Sequence, residues 1–103
     1  MRPRKCRKID FDPATTIFKP SGIPMRMLDY VELELDEAEA IRLADYEQLY
    51  HEQAGEKMGV SRQTFSRLLA SAHKKVADAV IHGKCLVIKG GNQIGIPSDS
   101  END

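Results

Sequence analysis

The sequence predicts a mainly α domain of three helices, the last two forming a helix-turn-helix, with an extended N-terminal segment and a small two-stranded β pairing. Three observations carry this. From Ala54 to Leu69 the chain runs through a small residue (Gly55), a glycine four positions later (Gly59), an apolar corner residue (Val60), a serine (Ser61) and an apolar set at helical spacing (Phe65, Leu68, Leu69). That order suits a short helix, a tight turn and a second helix. Two short apolar runs, 31–35 and 85–89, have strand character. The 103 residues make one small domain with a limited core, which association with a second copy would support.

Taken in order, residues 1–8 read as a basic arm. Residues 9–30 contain Pro13, Pro20, Gly22 and Pro24 and read as an extended, irregular segment, with Ile17, Phe18, Ile23, Met25 and Leu28 draping it over the body. Val31 to Leu35 alternates apolar and acidic residues, as a half-buried strand does. Asp36 stands as the cap of a first helix, with Glu39 three positions later completing a box-like pattern. That helix runs to about residue 46 and turns Ala40, Ile41, Leu43 and Ala44 inward. A second helix covers about 51–58, behind the weak cap Tyr50. The third starts at Ser61, a preferred N-cap, and runs to His82, with Phe65, Leu68, Leu69, Ala72, Val76 and Val80 as one inward stripe. Unbroken, it is about 33 Å long. Gly83 is its stop, and His82 and Lys84 suit the negative end of the helix dipole. Cys85 to Lys89 reads as a strand whose partner is 31–35, within the chain or in a second copy. The domain proper spans 31–91, and 92–103 reads as a disordered tail.

The net charge is −1, an unpromising sum for a nucleic-acid partner, but the charges are segregated. Residues 1–8 hold Arg2, Arg4, Lys5, Arg7 and Lys8 with no acid; residues 29–56 hold ten acids against Arg42; residues 57–89 hold seven bases against Asp78. Local field governs contact with phosphates. The acids at 32, 34, 36, 37 and 39 read as a solvated edge. With Phe65 inward and about 100° per residue, Gln63, Arg67, Ala70 and Lys74 point away from the core, and Arg62 and Ser66 lie on the flanks. A helix presenting Ser61, Arg62, Gln63, Thr64, Ser66, Arg67 and Lys74 has the chemistry to read base edges in the major groove of double-stranded DNA. The arm residues suit the DNA backbone.

Other chemistries find little support. No catalytic triad, phosphate-binding glycine loop or dinucleotide turn occurs, so no enzyme activity and no cofactor are expected. His82-x-x-Cys85, with Cys6 far along the chain, is one local pair where strong zinc signatures use two; metal- or redox-responsive regulation through Cys6, His82 and Cys85 is a minor alternative, and no metal site is assigned. No apolar run is long enough to cross a bilayer, and no apolar signal segment follows the basic N-terminus, so a cytoplasmic location without a membrane partner is expected.

Five stretches carry a resemblance: Pro3-Arg4-Lys5-Cys6-Arg7, Phe18-Lys19-Pro20-x-Gly22-Ile23-Pro24, the run from Leu35 to Asp45, Met58 to Phe65, and Lys75-Val76-Ala77-Asp78-Ala79. Together, over nearly residues 2–91, they resemble an uncharacterised prokaryotic family of small predicted DNA-binding proteins. The helical part is also similar to region 4 of sigma factors. That resemblance implies that Ser61 to Lys74 enters the major groove. Gly55 stands where Ala is more usual, and Tyr50 where a better cap is usual. Nothing in the chain resembles the polymerase-binding or promoter-melting regions of a complete sigma factor. The resemblance therefore implies a transcriptional regulator, and leaves open contact with RNA polymerase and pairing into a homodimer. The competing reading is a protein–protein docking module of the transcription machinery without an operator of its own.

Overall fold

A computed structural model of the chain describes residue 9 and residues 16–89. The basic arm at 1–8 and the expected disordered tail at 92–103 lie outside the described residues. Those residues form β1 (Ile17–Phe18), β2 (Tyr30–Glu34), α1 (Leu35–Ile41), α2 (His51–Met58), α3 (Arg62–His82) and β3 (Cys85–Lys89), with a 3-10 turn at Met25–Met27 and a π-helical stretch at Arg42–Tyr46 that extends α1.

The expected β pairing forms within the chain, and it has a third strand. β3 is central; β2 pairs with it in parallel, from Tyr30↔Cys85 to Glu34↔Lys89, and β1 pairs with it antiparallel, Ile17↔Val87 and Phe18↔Leu86. All three helices lie in the connection from β2 to β3, as a parallel neighbour requires a long crossover. Two further bonds lengthen the ladders, Cys85 N–H to the Asp29 carbonyl (2.8 Å) and Ile88 N–H to the Thr16 carbonyl (2.7 Å). β1 was hidden in the segment expected to be irregular, because two residues carry no periodicity.

Strand β2 sits one residue earlier than expected, and this moves the cap of α1. The N-cap is Glu34, not Asp36, and the N3 residue is Glu37, not Glu39. Glu37 Oε1 accepts the Glu34 backbone N–H at 2.9 Å. Shifting the register by two places puts Asp36, Glu37 and Glu39 in the interior: all three are buried. They are not the solvated edge that the alternation suggested. Glu39 is held by the Arg42 guanidinium, Nε–Oε1 2.8 Å and Nη2–Oε2 3.0 Å. Glu37 is reached from α3 by the Ser71 hydroxyl and by Lys75 Nζ at 2.8 Å.

Two hydrophobic clusters result. One joins Ala40 and Leu43 to Ala54 and Met58 of α2 and to Phe65, Leu68 and Leu69 of α3, with Val60 packed at its margin. The other joins Leu33 and Ile88 of the sheet to Ala38 of α1 and Ala72 of α3. The inward stripe of α3 departs from expectation at its far end. Ala79 is buried, whereas Val80 is 73% exposed and Ile81 74%. β1 and the Pro20 turn approach α3 from the side of Ala79 and Gly83, so the helix buries that side there.

The turn between α2 and α3 follows its glycines. Gly59 ends α2 in the left-handed region (φ 74°, ψ 29°), and its N–H returns to the Glu56 carbonyl at 3.1 Å. Only glycine adopts this backbone cheaply. Gly55 is needed for closeness to the turn itself: a Cβ there would stand 2.9 Å from the Val60 carbonyl oxygen and 3.3 Å from that of Ser61. Ser61 caps α3, its Oγ accepting the Thr64 N–H at 3.1 Å. Gly83 stops α3 at φ 64°. Tyr50 does no capping with a side-chain oxygen; instead Gln53 Oε1 accepts the Tyr50 N–H at 3.2 Å.

Two stability measurements test this account. Gly59→Val is expected to cost about 1–2 kcal/mol or more, because a β-branched residue is forced into a left-handed conformation. In a domain of this size each kcal/mol lowers the melting temperature by about 4–8 °C, so thermal melting of the variant reads it directly; unchanged melting would mean that the turn is wrongly described. The second test concerns acid. Burial pushes the Glu37 carboxyl up, but the bonds from Lys75, Ser71 and the Glu34 N–H, with the Lys75 charge, outweigh it and hold the pKa below its ordinary value. A carboxyl held lower in the folded than in the unfolded chain adds stability that is present above its unfolded pKa and lost as pH falls through the folded one. Stability should therefore decline below the ordinary glutamate pKa of about 4.3. Glu37→Gln should flatten that decline in urea melts taken across the acid range.

Candidate functional site

The outer face of α3 collects the residues singled out from sequence. Arg62, Gln63, Arg67 and Lys74 are exposed, as is Ala70. The opposite side of the same turns is Phe65, Leu68, Leu69 and Ala72, all buried. The polar face is therefore outward because the apolar face is anchored, and its position is fixed by the glycine turn that precedes it.

The hydroxyls of this face have other duties. Ser61 and Thr64 are bonded to each other at the cap, Ser61 Oγ to Thr64 Oγ1 at 3.1 Å. Ser66 Oγ is 2.8 Å from His51 Nδ1 of α2. The His51 ring also meets Phe65 edge-on, with centroids 5.4 Å apart. His51 thus links the first turn of α2 to the second turn of α3. Sequence reasoning missed it: its partner lies 15 residues away, and a lone histidine at the start of a helix gives no local signal. The structure accordingly divides the seven chosen residues. Ser61, Thr64 and Ser66 hold the helix and its neighbour, and Arg62, Gln63, Arg67 and Lys74 are presented to solvent.

Charge separates the same way. Elsewhere on the described surface several acids have a basic or histidine partner: Arg42 also reaches Glu47 (3.1 Å), His73 Nε2 lies 2.7 Å from Asp45, Lys84 and His82 lie 3.0 and 2.8 Å from Asp78, and Lys89 stands 3.6 Å from Glu32. Bonds from Lys84 and His82 hold the Asp78 carboxyl below its ordinary pKa. Among the described residues, Arg62, Arg67 and Lys74 take part in no ion pair. Six of the ten acids of 29–56 are thus buried or have a basic or histidine partner where they stand, while Asp29, Glu52 and Glu56 are exposed without an ion pair, and three cations without an ion pair share one helix face.

Of the cysteine and histidine candidates, His82 and Cys85 are among the described residues. Cys85 is fully buried, and burial raises its thiol pKa. His82 Nδ1 is engaged by Asp78, and Cys6 lies outside the described residues. Among the described residues no group of three or more metal-ligating side chains is found. No helix among them is long and apolar enough to cross a membrane.

Known relatives match most of the chain. A UPF0251 protein of Prosthecochloris aestuarii is 53% identical over 90 residues, covering 87% of this chain and 58% of its own length. One of Pelotomaculum thermopropionicum is 56% identical over 91 residues, covering 88% and 69%. One of Thermoanaerobacter pseudethanolicus is 53% identical over 91 residues, covering 88% and 77%. This chain thus spans less than two thirds of the length of some of these relatives, as with the 58% for Prosthecochloris aestuarii. No solved structure matches it. With residues 1–95 matching the family described as "Protein of unknown function DUF134", and with relatives this similar, the chain belongs to that family.

Proposed function

We propose that this chain is a sequence-specific double-stranded DNA-binding protein, a transcriptional regulator whose α2–turn–α3 unit is a helix-turn-helix of the kind found in sigma-factor region 4. The observation that carries the reading is the outer face of α3: Arg62, Gln63, Arg67 and Lys74 exposed together, on a helix held from behind by Phe65, Leu68 and Leu69. Long side chains with donors and a mixed donor–acceptor amide are what base edges in a major groove recognise. Ser61, Thr64 and Ser66 support it by fixing the first two turns. The basic arm, Arg2, Arg4, Lys5, Arg7 and Lys8, supplies phosphate contacts that position without reading. A homodimer on a pseudo-palindromic site, and a contact with RNA polymerase at regulated promoters, are the partners consistent with this role.

Reading and holding are separable by experiment. A duplex selected from a random pool serves as operator, and competition against random duplex is repeated over a salt series. Arg67→Ala should relax preference at one base pair, since a bidentate arginine–guanine contact contributes about 1–3 kcal/mol of discrimination. The fold should survive, because residue 67 faces away from the core. Deleting residues 2–8 should instead weaken binding to all sequences alike and flatten the log–log salt dependence by about 0.9 per lost phosphate contact. If Arg67→Ala leaves base preference intact while loss of the arm abolishes it, the arm is the reader. If the wild-type chain binds no duplex at low salt, α3 docks a protein instead.

A further inference from the structure

A serine hydroxyl both donates and accepts, so by itself it tells one base edge poorly from another. Ser66 does not stand by itself. It lies in the second turn of α3, half-buried beside the exposed Arg67, on the flank where α2 comes against the helix. There its Oγ is 2.8 Å from His51 Nδ1. The His51 ring is held in place by its edge contact with Phe65, centroids 5.4 Å apart, and Phe65 is itself fully buried. His51 is the first residue of α2. At that end of a helix the backbone N–H groups are unpaired and the dipole is positive. Both favour a lone pair over an N–H on the ring nitrogen nearer the backbone. Nδ1 is therefore the acceptor, and the ring hydrogen resides on Nε2.

We propose that His51 is a positioning residue that fixes the sense of the Ser66 hydroxyl and makes it an acceptor toward DNA; this rests on the DNA-reading role proposed for α3. The Ser66 hydrogen goes to Nδ1, and only the Oγ lone pairs remain for a partner outside the chain. Phosphate oxygens are acceptors too, so the DNA backbone offers this hydroxyl no bond. In the major groove the donors are the amino groups, N4 of cytosine and N6 of adenine, whereas N7 and O6 of guanine and O4 of thymine accept. Held in this sense, Ser66 selects an amino-bearing base, cytosine or adenine, and opposes guanine or thymine at the position it meets. A hydroxyl free to rotate would accept either class. The discrimination comes from leaving the wrong edge unpaired, with no added contact to the right one. Arg67, next to Ser66, carries only donors and reads acceptor edges. Two neighbours on one helix thereby read opposite halves of the base-edge pattern.

Competition binding of the full chain to single-base-pair variants of a duplex selected from a random pool tests the assignment. Ser66→Ala should lose preference at one base pair, at which the selected duplex carries cytosine or adenine. His51→Phe keeps an aromatic ring against Phe65 and takes away the acceptor. It should relax the preference at that same base pair by about fivefold, the worth of one net hydrogen bond, and leave the other base pairs unchanged. His51→Asn, whose amide oxygen can accept near the place of Nδ1, should restore part of the preference. With Ser66→Ala already in place, His51→Phe should change nothing more at that base pair. A purely structural role for His51 would instead weaken binding to all sequences alike and move no base preference. Should His51→Phe lose its helical circular dichroism, His51→Leu takes its place. Nitrogen NMR of the His51 ring in the free chain, in the same buffer, reads the tautomer directly, and Nδ1 is expected to carry no hydrogen. A protonated Nδ1 overturns the proposal; so does a base preference that a folded His51 variant leaves intact. Either result on a chain that binds duplex removes this inference alone. A wild-type chain that binds no duplex at low salt removes the DNA reading and this inference with it.

Discussion

The constraint on which the rest of the molecule depends is that one helix belongs to both hydrophobic clusters. α3 gives Phe65, Leu68 and Leu69 to the packing against α1 and α2, and Ala72 to the packing against the sheet. Its direction is therefore set twice. The turn sets it again: Gly59 supplies the left-handed residue and Gly55 lets the α2 backbone approach the Val60 and Ser61 carbonyls. A side chain at either glycine would tilt α3 away from the position that its own apolar stripe demands. The exposed polar face of α3 inherits this precision, since a surface residue on a helix fixed at three places has few ways to move.

The buried acids of α1 belong to the same constraint. Asp36 and Glu37 occupy the first turn of a helix, where negative charge is favoured by the helix dipole. Burying a carboxylate is costly unless it is bonded, and Glu37 meets that condition through the Glu34 N–H and, from another element, through Ser71 and Lys75 of α3. The bond geometry therefore specifies how α1 and α3 lie against one another, which apolar contacts alone specify loosely. It also removes negative charge from the surface on which a polyanion would be repelled. Together with the ion pairs of Glu39 and Asp78, this contributes to how a chain of net charge −1 presents a locally positive face.

The helix pair was legible in the sequence because its signals are local. Ser61 as cap, Gly59 at the corner, Gly83 as stop and the Phe65–Leu68–Leu69 spacing each act within a few residues, and each stands where expected. The exposure of Gln63 and Arg67 followed from the same periodicity. What was misread depends on partners far along the chain. Glu37 reads as a surface acid until Ser71 and Lys75, 34 and 38 residues on, fold over it. Val80 continues the apolar stripe in sequence, yet the sheet and the β1 side of the fold take Ala79 instead. Glu34 is a poor cap by residue type, so Asp36 drew the assignment two residues too late. His51 carries no local mark, and only its approach to Ser66 reveals its role. The DNA-reading role proposed for the α3 face is a matter of surface chemistry that neither periodicity nor packing decides.

The length of α3 then has a physical use. Between Arg62 and His82 the helix contains neither Gly nor Pro, the residues at which helices most often kink. Its middle is clamped to α1 through Glu37 and to the sheet through Ala72. A helix straight by composition and held at its centre keeps its two ends in fixed relation. The polar first turns and the aliphatic last turns are therefore parts of one rigid rod, about 21 Å apart between Ser66 and Val80. A contact made at one end determines where the other end stands.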